Sequence, residues 1–355
     1  MIAIKLVTLT FVLLVCSAAT VYTADTNRNE TPFTIYMAVW RGCEEACQGF
    51  QDYFREESIE VNFLIRDAKR NKANLPMFVY EAKQLKVDLV LTWGTSVTLG
   101  MVGTLEDTDP SRHITSIPVV FMIVADPLGA GIIESYQSSG RPNITGTRNR
   151  VPEEIQMQAI RSYRNFKRLG IMYNANELNS VLNLQKIRQL AKKMRFNLFE
   201  QSIDLDENGK PRIESIPEKL KALKNQDVAF IYIGSSSFLM RNRDYLTRAA
   251  VDQGVAIASA YEAMARESSA LLAVASRYYS VGKLAGFQAK KILVDNAAPI
   301  DLPIAQLSRY SYVVNMETAR KLRLYPPISL LRYAEVVEGQ SKPELESTLR
   351  HHDVQ

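Results

Sequence analysis

Histidine and cysteine are scarce in this chain of 355 residues, which has three of each. His113 lies in a polar connection, whereas His351 and His352 lie close to the C-terminus. A zinc site would therefore have to bring His113 together with Cys43 and Cys47 over a long stretch of chain. A four-residue cysteine spacing on a predicted helix is not the spacing of a zinc site. We accordingly expect neither a metal nor a cofactor.

Catalytic motifs are also missing from the sequence. A Ser/His/Asp triad would have to use His113, there is no Gly-x-Ser-x-Gly elbow, and there is no glycine-rich loop that ends in lysine. Glu44 and Glu45 are adjacent on a predicted helix, so their carboxylates point in different directions. The sequence therefore predicts binding without catalysis.

Charge of one sign is not concentrated anywhere, although the formal net charge is +5. The 43 basic and 38 acidic residues are interspersed, and no basic stripe with interleaved aromatic residues is found. We therefore expect a solvated surface and no nucleic-acid partner.

Long apolar runs are absent after the N-terminus. There, Lys5 precedes an apolar run over residues 6–15 and small residues follow, which is typical of a secretory signal peptide covering residues 1–24. No later stretch approaches the roughly 20 apolar residues of a membrane span, so the sequence predicts a soluble periplasmic protein. Lipidation at Cys16 stays open as an alternative, although Val15 is bulky for that motif.

Removal of this leader leaves two cysteines, in the segment WRGCEEACQGF. Cys43 and Cys47 are four residues apart on a predicted helix, so both thiols lie on one helical face. In an exported protein they are either reduced and packed or joined in a disulfide, and the sequence leaves both possibilities open.

Short apolar runs alternate with amphipathic stretches along the whole chain. The strand-like runs of the first half are FTIYMAVW (33–40), VNFLI (61–65), DLVLTWG (88–94) and IPVVFMIVADP (117–127). A second series includes RLGIMYN (168–174), FNLFEQSI (196–203), DVAFIYIG (227–234), VAIAS (255–259) and ALLAVAS (270–276). Continuous apolar strands separated by helices predict parallel sheets covered on both faces. We therefore predict an α/β fold with two doubly wound lobes and a hinge at residues 143–151.

In doubly wound sheets, ligands bind beyond the carboxyl ends of the strands. The candidate binding residues at these positions are Trp40, Gly94, Thr95, Ser96, Asp126, Tyr173, Gly234, Ser235, Ser236, Ser259 and Tyr261.

Two of the candidate segments, residues 94–96 and 234–237, have the same arrangement of a glycine followed by hydroxyl residues. Gly94 permits a tight turn, and the hydroxyls of Thr95 and Ser96 are expected to cap a helix whose free N–H groups attract a carboxylate. The segment 234–237 repeats this arrangement, so two helix ends could hold a small polar ligand from both sides. An ordinary helix cap is the alternative interpretation.

The aromatic and acidic candidates complete the predicted site. Trp40, Tyr173 and Tyr261 could stack on a flat or apolar part of the ligand, or could simply pack. Asp126 could receive an ammonium group, although Asp-Pro is equally a turn starter.

Several segments resemble the ABC-transporter substrate-binding proteins typified by tryptophan- and aromatic-amino-acid-binding members. The similar segments are GTS (94–96), IPVVFMIVADPLGAGIIES, RPNITGT, NRDYLTRAAVDQGVAIAS, GKLAGFQAKKIL and ARKLRLYPPISLLRYAEVVE. The resemblance implies a type 1 periplasmic-binding-protein fold, in which two lobes joined by a multi-strand hinge close on a small solute. It also implies delivery of that solute to an inner-membrane ABC permease, and a monomer is expected.

The resemblance implies three crossings between the lobes. The expected N-terminal lobe is 33–148 plus 279–308, the C-terminal lobe is 149–278 plus 309–338, and a polar tail covers 339–355. A final strand over residues 310–315 is expected in the second lobe.

Three functions are considered for this sequence. The first is an extracytoplasmic solute-binding protein for an aromatic or branched amino acid. The second is a ligand-sensing partner of a membrane signalling receptor that uses the same clamp. The third, an exported enzyme on the same scaffold, lacks support from any catalytic motif.

Overall fold

The computed structural model describes residues 31–338. The predicted signal peptide with Cys16, the polar tail, and His351 and His352 lie outside this range. Within it, no helix has both the length and the apolar character needed to cross a membrane.

The first sheet has six parallel strands in the order β11-β5-β4-β3-β1-β2. These strands are β1 (Phe33–Val39), β2 (Val61–Asp67), β3 (Leu89–Trp93), β4 (Val119–Val124), β5 (Ile144–Arg148) and β11 (Ala305–Gln306). Successive residues of β1 point to opposite faces, with Tyr36 and Ala38 in one apolar cluster and Ile35 and Met37 in another. Both faces are therefore buried, which explains why the apolar runs of these strands are continuous.

Four helices belong with this sheet. They are α1 (Glu45–Glu56), α2 (Leu75–Gln84), α3 (Thr95–Val102) and α10 (Tyr278–Leu293). Helices α1 and α10 cross at glycines: a methyl group on Gly282 would lie 1.9 Å from the Ala46 carbonyl oxygen, and one on Gly49 would lie 2.1 Å from the Tyr279 carbonyl oxygen. The two helix backbones are thus in direct contact.

The second sheet has seven strands in the order β13-β12-β10-β9-β8-β6-β7. They are β6 (Arg168–Tyr173), β7 (Asn197–Ser202), β8 (Phe230–Ile233), β9 (Ile257–Ser259), β10 (Leu272–Ala275), β12 (Ser311–Asn315) and β13 (Glu335–Val337). The pairing is parallel except between β10 and β12, which run antiparallel. The predicted α/β fold class with two wound sheets is confirmed. The expectation that 310–315 is the final strand is wrong, because β13 follows it.

The remaining helices accompany the second sheet. They are α4 (Glu153–Tyr163), α5 (Leu178–Met194), α6 (Ile216–Lys224), α7 (Ser237–Arg241), α8 (Arg243–Asp252), α9 (Glu262–Arg266) and α11 (Met316–Leu322). Two apolar clusters, one around Phe230 and one around Ile231, cover the two faces of this sheet.

The chain passes between the sheets at three places. It leaves the first sheet after β5, returns with α10 and β11, and enters the second sheet again with β12. Strand β11 pairs with β5, which places two of these passages side by side. Sequence patterning assigned residues 143–151 to a hinge, and within this range residues 144–148 form β5 of the first sheet.

Candidate functional site

A small cavity of about 40 Å³ lies where residues from the strand ends of both sheets meet. The predicted site residues that line it are Trp40, Gly94, Thr95, Ser96, Ser235 and Tyr261. We call this cavity the cleft pocket. Its volume is close to that of one water molecule, so an organic ligand requires movement of the walls.

Five predicted residues lie elsewhere. Ser259 is buried and accepts the Tyr261 N–H, and Tyr173 at the end of β6 packs against the core around Phe230. A methyl group on Gly234 would collide with Asn183 Oδ1 at 1.6 Å, so this glycine is required for packing.

Asp126 lies apart from the cleft pocket. Its Oδ1 accepts the Gly129 N–H at 2.9 Å, and the residue lines a different cavity of about 560 Å³. The turn role of this Asp-Pro pair is therefore visible in the structure.

The helix end at Gly94 is open. Gly94 has φ +88°, a conformation that favours glycine, and it occupies the N-cap position of α3. The expected capping by Thr95 and Ser96 is wrong: they are the first two helical residues, and within the described chain no side chain caps α3. The leading N–H groups of α3 lack intrahelical partners and carry the positive end of the helix dipole. This end can therefore receive a carboxylate.

The second helix end is already occupied. Ser236 caps α7 as predicted, because its hydroxyl accepts the Leu239 N–H at 3.1 Å. However, the Phe238 N–H donates to Glu177 Oε1 at 3.0 Å. The expectation of two open helix ends that hold a ligand from both sides is wrong, since a carboxylate of the protein itself takes this one.

Arg41 lines the cleft pocket together with the open end of α3. It was not among the binding residues predicted from the sequence. Its side chain is 7% exposed, its Nε donates to Glu44 Oε1 at 2.7 Å, and its guanidinium lies 5.0 Å from the centre of the Trp93 ring. Burial lowers the pKa of Arg41, but the Glu44 carboxylate more than offsets this effect. The two terminal nitrogens have no partner among residues 31–338. They are free to bind an anion with the fork geometry of a guanidinium.

Two further lining residues carry buried polar atoms without partners. Trp93 Nε1 and Asn149 Oδ1 make no hydrogen bond to any described residue. Such atoms are rare in folded proteins and mark places where a ligand or water completes the bonding. Trp93 directly precedes Gly94, so its position at a strand end was visible in the sequence. Asn149 was missed because residues 143–151 were read as a hinge.

Two tyrosines close one side of the cleft pocket. The rings of Tyr261 and Tyr278 meet edge to face at 6.5 Å, and the Tyr261 hydroxyl accepts the Ser236 N–H at 2.8 Å. Burial raises the pKa of both hydroxyls, so both remain protonated at neutral pH. The Tyr261 hydroxyl thus keeps its own proton for donation.

A larger cavity of about 690 Å³ adjoins the cleft pocket and shares Arg41, Tyr261 and Tyr278 with it. The larger cavity has a volume in the range that small ligands occupy. The wall of the larger cavity also contains Glu45, which has no ion-pair partner within the described residues.

The cysteine pair forms a disulfide between Cys43 and Cys47, with a Cα–Cα distance of 5.1 Å. Cys47 is fully buried in the core against the first sheet. His113 is buried elsewhere, where its Nδ1 accepts the Asp109 N–H at 3.1 Å. Within residues 31–338, no cluster of His, Cys, Asp and Glu residues is arranged to hold a metal ion.

We expect the double variant Cys43→Ser, Cys47→Ser to retain ligand binding, with a dissociation constant within about threefold of the wild type. Because the loop is so short, its closure contributes at most about 2 kcal/mol to stability. Calorimetric titration and thermal unfolding would measure both quantities. Loss of binding in a variant with an intact fold would instead give the thiols a functional role.

Comparisons with known proteins show the family and the fold of the chain. A family model described as ABC transporter substrate binding protein matches residues 40–338. A tyrosine-binding protein of Clostridioides difficile (strain R20291) is 23% identical over 207 residues, which cover 58% of this chain and 57% of that protein. The match thus spans little more than half of the relative's length.

Two solved structures share the fold. A conserved domain protein from Vibrio cholerae has a TM-score of 0.74 at 19% identity, covering 87% of this chain and 100% of that chain. An ABC domain from Streptococcus pneumoniae in complex with L-Trp has a TM-score of 0.70 at 20% identity, covering 85% and 99%. Because the family model matches far more than half of its residues, the chain belongs to the family of ABC transporter substrate binding proteins.

Proposed function

We propose that this protein is the extracytoplasmic solute-binding component of an ABC importer and that its ligand is an amino acid. The observation that carries the proposal is the set of unpaired polar groups around the cleft pocket. The open end of α3 and Arg41 supply donors for a carboxylate, and Asn149 supplies an acceptor for an ammonium group. An amino acid presents both of these groups on one carbon atom.

The walls favour an aromatic or other apolar side chain. Trp40, Trp93, Tyr261 and Tyr278 all line the cleft pocket. Aromatic rings bury a large apolar area and stack favourably on one another. The similarity to a tyrosine-binding protein and to a structure with bound L-Trp points in the same direction.

Export by the signal peptide and delivery to an inner-membrane permease complete the proposal. The lobes, 33–148 plus 279–308 and 149–278 plus 309–338, would close on the solute as a monomeric clamp. Closure around a buried ligand is the common mechanism of two-lobed receptors. The opening of the lobes that precedes closure would supply the wall movement that the small cleft pocket needs to admit a ligand.

A thermal-shift screen of residues 25–355 tests this function. The panel contains tyrosine, tryptophan, phenylalanine, leucine, a purine, a sugar and a short peptide. A ligand at a hundredfold excess over its Kd stabilises the native state by about 2.7 kcal/mol, which is readily measured. We expect shifts with the aromatic or apolar amino acids alone. A shift with the sugar or purine and none with any amino acid would contradict the proposal.

A further inference from the structure

Glu177 lies beside the cleft pocket, on the side of the second sheet. It precedes α5 at the N-cap position, and Asn179, two residues later, lines the pocket. Its Oε1 is fixed by the Phe238 N–H at the start of α7, where Ser237 also lines the pocket. The carboxylate is therefore held in place by two elements that themselves form the pocket wall.

The other oxygen of this carboxylate is unused. Glu177 Oε2 is buried and has no hydrogen-bond partner anywhere in the described chain. Burial raises the pKa of Glu177, and hydrogen bonding from the Ser236 side chain and from the backbone N–H groups of Phe238 and Ser237 lowers it only in part. An ionised carboxylate with a bare, buried oxygen is costly unless a cation or donor approaches it. The Oε2 atom is thus left without a partner of its own within the described residues.

The protein does not supply that cation. Arg41 is close enough to lower the pKa of Glu177, yet among residues 31–338 the two side chains form no ion pair. Arg41 comes from the loop after β1, and Glu177 comes from the loop before α5. An acceptor from one side and a cationic donor from the other thus lie near one pocket without touching. This arrangement is complementary to a zwitterion.

We infer that Glu177 receives the ammonium group of the bound amino acid together with the Asn149 oxygen, while Arg41 and the α3 amide groups receive its carboxylate. The inference rests on the proposed function and assigns a role that sequence reasoning had given to Asp126. Asp126 Oδ1 is engaged by the Gly129 N–H, and Asp126 lines a separate cavity. The ligand would therefore join the two sides through its own opposite charges, which links binding to closure.

The test compares L-tyrosine with desamino-tyrosine, which keeps the carboxylate and the ring but lacks the ammonium group. Calorimetric titrations use the wild type, Glu177→Gln and the matched control Asp126→Asn. We expect the wild type and Asp126→Asn to prefer tyrosine by at least 30-fold. We expect Glu177→Gln to lose most of this preference, through weaker binding of tyrosine and nearly unchanged binding of desamino-tyrosine.

The outcomes separate the two proposals. Equal binding of tyrosine and desamino-tyrosine by the wild type would overturn the Glu177 assignment even if the variant failed to fold. A folded Glu177→Gln that keeps the full preference would overturn the assignment alone and leave the proposed function standing. Loss of the preference in Asp126→Asn, with Glu177→Gln unaffected, would move the ammonium site to Asp126. Failure of every amino acid to bind the wild type would overturn both proposals.

Discussion

Replacement of Arg41 by methionine is expected to weaken binding of tyrosine or tryptophan by about 30-fold or more. Loss of one partner from a buried, hydrogen-bonded charge pair costs at least about 2 kcal/mol, and each 1.4 kcal/mol is tenfold in Kd. Methionine keeps the apolar stem of the side chain but loses the guanidinium that lies 5.0 Å from the centre of the Trp93 ring. The expected loss is therefore that of the charge and the fork of donors.

The matched control for this change is Arg188→Met. Arg188 also pairs with a glutamate, Glu200, at 2.6 Å, but its side chain is 50% exposed and it does not line the cleft pocket. Surface pairs of this kind contribute little to stability, so both stability and ligand affinity should be nearly unchanged. Titration calorimetry on the two variants measures the difference directly. Equal affinities would remove Arg41 from the carboxylate site.

The variant Arg41→Lys separates the contribution of the positive charge from that of the guanidinium geometry. Lysine keeps the positive charge but loses the planar fork that can bind a carboxylate through two hydrogen bonds and stack on an aromatic ring. If charge alone holds the ligand, Arg41→Lys should bind nearly as well as the wild type. We expect an affinity between those of Arg41→Met and the wild type, because both charge and geometry contribute.

The buried strands were predictable because each is a continuous apolar run. Strand β4 is buried along its entire length, and its sequence VVFMIV admits no amphipathic interpretation. Strand β5 was missed because its sequence ITGTR, with a central glycine between two threonines, was read as part of a hinge. Gly146 is there for packing: a methyl group at this position would lie 2.5 Å from the Phe121 ring. Such a contact between neighbouring strands depends on tertiary packing and cannot be predicted from the local sequence.

The site was predictable only as far as topology fixes it. Trp40 and the turn at Gly94 directly follow strands of a parallel sheet, so their place at its carboxyl edge follows from the fold. Glu177 lies in the loop between β6 and α5, beyond the residues that directly follow the strand, and its importance depends on its contact with α7. Asp126 sits at a strand end, but its side chain serves its own turn.

The largest effect on stability is expected from Gly282→Ala in α10. An alanine in a helix normally stabilises it by about 1 kcal/mol relative to glycine. Here the new methyl carbon would lie 1.9 Å from the Ala46 carbonyl oxygen and 2.9 Å from the Phe50 amide nitrogen. These are backbone atoms of α1, which cannot rotate away as the end of a flexible side chain could. The two helices must therefore separate.

The cost of this separation should exceed the gain in helix propensity. Overpacking a core costs about 1–3 kcal/mol and sometimes more, and we expect the upper end because backbone meets backbone. A net loss of about 2 kcal/mol lowers the melting temperature by roughly 3 °C in a chain of this size. Ser280→Ala, which removes only a hydroxyl from the same helix, is the control and should melt within about 1 °C of the wild type.

The same substitution should also reduce ligand binding, which distinguishes it from an ordinary core defect. Helix α1 follows the loop that carries Arg41, and α10 begins with Tyr278, which lines the cleft pocket. Separation of the helices therefore moves two walls of the pocket apart. We expect both the melting temperature and the affinity for tyrosine to fall in Gly282→Ala. A rise in melting temperature would mean that helix propensity dominates and that the helices are not in backbone contact.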